Sequence, residues 1–135
     1  MTAAGDFIDL LAERLPQAKD INDQGTVVGF SDNRTGTGNA VIWRGVNGVT
    51  ATSGESLGLR TDDATAVSEQ GEVVGLGADG PFLWKDSRFV ILRDAIAETG
   101  LTFAREAPRV SANGVIALKG QRGSAPAGVV VFRRR

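Results

Sequence analysis

A chain of 135 residues is long enough for one domain with its own core and short for two. Its 41% hydrophobic and 23% charged content is that of a globular protein, and 18 glycines against 4 prolines favour tight turns over long helices. A net charge of -1 argues against a nucleic-acid partner, the lack of histidine and cysteine removes Ser-His-Asp, zinc and thiolate chemistry, and no stretch has the length of a membrane span.

The opening Asp6-Phe-Ile-Asp-Leu-Leu-Ala-Glu-Arg14 reads as a strand over Phe7 to Leu11 that runs into a helical turn. A short strand then ends at Ile21, the polar turn Asn22-Asp-Gln-Gly25 follows, and Val27-Val28 begins the return strand. Ser31 to Asn39 forms a polar, glycine-rich loop, Asn39-Ala-Val-Ile-Trp43 a third strand and Val49 to Thr52 a fourth. The series recurs with a strand ending at Val67, the turn Ser68-Glu-Gln-Gly71, Val73-Val74, the strand Gly80-Pro-Phe-Leu-Trp84, a turn at Asp86-Ser87 and a strand from Phe89 to Leu92. Arg93 to Gly100 predicts a short helix that closes on glycine. A third, more worn copy turns at Ser111-Ala-Asn-Gly114, returns through Ile116-Ala117-Leu118 and ends in Gly128-Val-Val-Val-Phe132.

The turn glycine recurs after 46 and then 43 residues, at Gly25, Gly71 and Gly114. In each turn the last position calls for a positive φ, which glycine visits without a steric penalty. Four short strands per unit at this period match a propeller blade. We therefore expect an all-β fold with one or two short helices: three four-stranded antiparallel repeat units in a propeller-like or partial-propeller arrangement. The units form a single domain over 1–135, at about 18–63, 64–106 and 107–135, with 6–14 completing the last. The third copy ends at Phe132 without a fourth strand, while Phe7 to Leu11 is a fourth strand without a preceding unit. That mismatch predicts pairing in cis, self-association, or membership in a longer repeat protein.

The pattern Ala18-x-x-Ile21-Asn22-x-x-Gly25-x-Val27-Val28-Gly29, followed by Ala40-Val-Ile-Trp43, resembles the bacterial HAF-type repeat, whose unit is an Ile-Asn-Asp-x-Gly-x-Val-Val-Gly hairpin and a His-Ala-Phe-Leu-Trp strand. The similarity is strong over 18–44 and 64–85 and weak after 107. The family's histidine is Asn39 in the first copy and Gly80 in the second, so any role of that histidine is absent from this chain. The resemblance implies a propeller-like, extracytoplasmic repeat protein without an assigned activity.

Chemistry-bearing residues are few. Asp62 and Asp63 are formally a carboxylate pair, yet adjacent residues fit a solvated turn better than two converging catalytic groups. Asp32-Asn33 and Asp62-Asp63 offer oxygens for calcium without the spaced acidic loop that such sites need, so no metal and no cofactor are expected. The loop carrying Asp32, Asn33 and Arg34 is longer than its counterpart Gly77 to Gly80, and insertions on one copy of a repeat are where binding surfaces are built. With Arg60, Asp62 and Asp63 these make the candidate binding residues of a loop or rim. Trp43 and Trp84 suit packing between units, and alternatively stacking on sugar rings. The expected function is a non-enzymatic β-repeat scaffold that binds a protein partner or self-assembles, the alternative being a carbohydrate-binding propeller-type lectin.

Overall fold

The computed structural model describes residues 14–32, 38–44, 55–58, 61–97, 100–103, 106–126 and 128–133. The three predicted glycine turns are present and built the same way. The strand β1 (Arg14–Ile21) ends one residue before Asn22, and β2 (Val27–Asp32) starts two residues after Gly25. The pairs β5 (Thr61–Val67) with β6 (Val73–Gly77), and β10 (Arg109–Val110) with β11 (Ile116–Arg122), repeat that spacing. Gly25, Gly71 and Gly114 have φ of 77°, 83° and 89°, the left-handed region where a Cβ is disfavoured. The first side chain of each turn closes it: Asn22 Oδ1, Ser68 Oγ and Ser111 Oγ accept the N–H of the residue four places on, at 2.9, 3.1 and 3.0 Å. This is why asparagine or serine precedes the glycine by three positions in every copy.

Three four-stranded antiparallel sheets result. Sheet 1 runs β1-β2-β3-β4, with β3 at Gly38–Trp43 and β4 at Glu55–Ser56. The expected fourth strand at Val49 to Thr52 lies outside the described residues, as does Phe7 to Leu11. Arg14, expected to end a helical turn, begins β1 instead. Sheet 2 runs β5-β6-β7-β8, with β7 at Gly80–Lys85 and β8 at Arg88–Ile91 joined by the two-residue turn Asp86-Ser87, both at positive φ. The helix α1 (Leu92–Ala97) follows, one residue earlier than predicted, and buries Leu92. In sheet 3, β11 pairs with β12 (Gly128–Phe132) on one side and with β10 and β9 (Leu101–Phe103) on the other. The fourth strand of this sheet is thus β9, which lies collinear with β10 against the far half of β11.

The break between β9 and β10 explains the worn third copy. In sheets 1 and 2 the first strand bulges toward its partner, and a Cβ on Gly29 or Gly75 would stand 1.8 Å from the Gln17 carbonyl oxygen or 2.0 Å from that of Asp63. Glycine is obligatory there. In sheet 3 the strand is interrupted at that level, and the equivalent position holds Leu118, buried in the core.

Each sheet has a leading face toward the preceding sheet and a trailing face toward the next. Val28, Ala40 and Ile42 on the trailing face of sheet 1 pack with Val73, Phe82 and Trp84 on the leading face of sheet 2. Val74 and Leu83, on the other face of sheet 2, pack with Ile116 and Leu118 of sheet 3, flanked by Val130 and Phe132. Phe132 pairs with Ile116 as Trp43 pairs with Val27 and Trp84 with Val73, so it is the third copy's version of the tryptophan.

Candidate interaction surface

Hydrogen bonds join each unit to its counterpart in the next. Asn22 Nδ2 donates to the Ser68 carbonyl at 2.9 Å, and the Asp23 N–H to the Glu69 carboxylate at 3.0 and 3.1 Å, both pairs 46 residues apart. At the second junction the Glu69 N–H donates to the Ala112 carbonyl at 2.9 Å and Thr65 Oγ1 to the Pro108 carbonyl at 2.6 Å, each 43 residues apart. The separations equal the repeat period, so equivalent residues of successive copies touch. Asp20 Oδ2 accepts the Val67 N–H at 3.0 Å, and Arg109 Nη1 donates to the Thr65 carbonyl at 3.3 Å. The turn motif is therefore both a hairpin and a rung that stacks on the next.

Of the sequence-predicted site residues, Asn33, Arg34 and Arg60 lie outside the described residues, and Asp32 is placed only as the last residue of β2, opposite Arg14 and Gly38. Asp62 and Asp63 stand within β5, not in a connecting turn. Asp62 is exposed. Asp63 is half-buried, with Oδ2 3.7 Å from Lys19 Nζ of sheet 1 and a buried Oδ1 that has no hydrogen-bond partner. Burial pushes its carboxyl above the ordinary value; the Lys19 ammonium pulls it back in part, and the charge of Asp62 adds a smaller push upward. The pair ties two sheets together. Among the described residues no group of three or more acidic side chains gathers that could hold a metal ion.

Trp43 and Trp84 are 1% and 4% exposed. Trp43 packs with Val27 and Val41, and Trp84 lies in the core between sheets 1 and 2 with the Arg44 guanidinium 5.5 Å from its ring centroid. Arg44 also faces Glu55 at 3.6 Å. Asn39, where the resembling repeat carries histidine, is buried in β3 with Oδ1 unpartnered.

The trailing face of sheet 3 breaks the repeat's pattern of burial. Opposed residues in the register place Ala117, Lys119, Val129 and Val131 on it. Val131 occupies the position of Ile42 and Leu83, and Val129 that of Ala40 and Pro81, all four of which are buried. Yet Val129 is 80% and Val131 60% exposed. Beside them a groove of about 380 Å³ is lined by Ala117, Gly128 and Val129, with Glu106 and Lys119 ion-paired at 3.1 Å along it. Sequence reasoning placed these valines in an unmatched strand expected to pair along its edge and did not single out the face they form; their equivalence to buried positions in the other copies was the available signal. A second hollow, of about 620 Å³ at the β7–β8 hairpin, carries Lys85, Asp86 and Arg88 and so both charge signs.

Comparisons with protein-family models, curated proteins and solved structures return no match. No helix among the described residues is long and apolar enough to cross a membrane.

Proposed function

We propose that this chain is a non-enzymatic β-repeat scaffold that engages a protein partner, or its own kind, through the trailing face of sheet 3. The observation that carries the reading is the exposure of Val129 and Val131 at positions whose counterparts are buried under the next sheet. A sheet face built to be covered, left open beside a groove, is the kind of apolar patch that marks interaction sites.

The turn ladder supports a partial-propeller organisation of the HAF-repeat type. Sheets stacked face to face stand about 10 Å apart. Equivalent turns at hydrogen-bonding distance fit sheets that converge at that end, as blades of a propeller do. The resembling family's extracytoplasmic setting is carried over as part of the same proposal. Burial of both indoles, with Arg44 over Trp84, weighs against the glycan reading, since a sugar would have to displace core packing.

The test is binding of an environment-sensitive apolar dye by the wild type and by Val131→Asp, with far-UV circular dichroism as the control for folding. Dye binding that drops at least severalfold in the variant supports the site. Equal binding by two equally folded proteins rejects it. Tryptophan fluorescence titrated across a glycan panel tests the alternative, which needs a saturable change with at least one sugar.

A further inference from the structure

We infer that the occupant of this face is a second copy of the same chain, docked trailing face on trailing face about a twofold axis; the inference rests on the site proposed above. Three observations point to it. The first is continuity with the interfaces inside the molecule. Both other trailing faces of this repeat are covered by a sheet of the same repeat, through aliphatic side chains at the positions that Val129 and Val131 occupy in sheet 3. A β-sheet with an apolar face is thus the kind of partner that covers this face elsewhere in the repeat.

The second is shape. Exposed Val131 and the groove beside Ala117, Gly128 and Val129 lie on one face, so the surface carries both an open apolar side chain and a recess able to take one. A twofold axis brings each to the other, because in an isologous interface residue i meets j while j meets i. The third is charge. Lys119 and Glu106 border the groove with opposite signs, so a twofold axis passing between them sets the acid of each copy beside the base of the other. A head-to-tail alternative is opposed by the burial of Val27, Val41 and Trp43, the leading-face residues of sheet 1.

Sedimentation equilibrium on the whole chain, compared with Val131→Asp and Val129→Asp, tests this. Both positions are exposed, so either aspartate should leave the circular dichroism spectrum and the melting curve of the monomer unchanged. The expected result is a dimer in the wild type and at least roughly a hundredfold weaker association in each variant, since two uncompensated charges enter each interface. A folded wild type that stays monomeric at millimolar concentration, while still binding the apolar dye in a Val131-dependent way, overturns the second-copy inference and leaves the site standing for a different protein. A monomer with no Val131-dependent dye binding removes both. A dimer that neither aspartate weakens places the interface elsewhere and also overturns the inference.

Discussion

Two glycines four residues apart, Gly71 and Gly75, obey different rules. At Gly71 a Cβ would meet nothing within 4 Å, and only the φ of 83° opposes a side chain. At Gly75 it would meet the Asp63 carbonyl oxygen at 2.0 Å and the Phe82 ring at 2.9 Å. Gly71→Ala should therefore cost about 1 kcal/mol, the strain of one left-handed residue. Gly75→Ala should cost roughly 2 kcal/mol or more, because backbone must move in a packed region. Urea unfolding of the two variants checks the order, which reverses if φ rather than close approach dominates. Asp63 gives a residue-scale pH prediction. Its carboxyl is raised in the folded state, so the protonated form favours folding at acid pH and that advantage is lost as pH rises through the folded value. The stability of the wild type relative to Asp63→Asn should fall between acid and neutral pH, read as the difference in melting temperature across a pH series. A difference that grows with pH would mean that the Lys19 ion pair outweighs burial.

The element that organises the fold is the turn, because each one satisfies its own hairpin and reaches the next. Asn22 shows the double duty: Oδ1 accepts the Gln24 and Thr26 N–H groups while Nδ2 donates to the Ser68 carbonyl. Asn22→Ala should cost about 2 kcal/mol, more than one exposed hydrogen bond, since two part-buried donors and a buried acceptor lose their partner together. Chemical denaturation with an unchanged m-value is the readout. Asn22→Ser, which restores the side-chain acceptor seen at Ser68 and Ser111, should recover the hairpin part of the loss. Leu118 makes the converse case. It fills the space that the broken first strand of sheet 3 leaves, so Leu118→Ala should cost about 3 kcal/mol through transfer and cavity terms, measured the same way. These elements were legible in the sequence to the extent that they are local. The turns and the strands flanking them follow from residue types a few places apart. The strand β9 was not legible, because it is short and gains its place only by pairing with β11 across 17 or more residues.

At the scale of the whole molecule, sheet 2 is buried on both faces and is the keystone of the stack. Trp43 reports on sheet 1 and Trp84 on the junction of sheets 1 and 2. Single-tryptophan variants, Trp43→Phe and Trp84→Phe, should show coincident urea transitions if the shared core unfolds as one unit. Separated midpoints would mean that the first sheet comes apart alone. Hydrogen exchange should be faster at the outer edge of β12, which among the described residues has no strand beyond it, than in the central strands β6 and β7.

The sequence by itself determined the period, the three turns with their glycines, the all-β character and the equivalence of Trp43, Trp84 and Phe132. Each depends on backbone φ or on local alternation of apolar residues, and a single chain carries that information without its neighbours. Only the tertiary structure decided which repeated positions are covered. Val131 and Leu83 read alike as strand aliphatics, yet one is 60% exposed and the other 4%. The difference lies in whether another sheet packs over the face, and a side chain's own chemistry does not encode that. The same reason moved Asp63 from an open turn to a half-buried bridge between sheets, and closed Trp84 under Arg44.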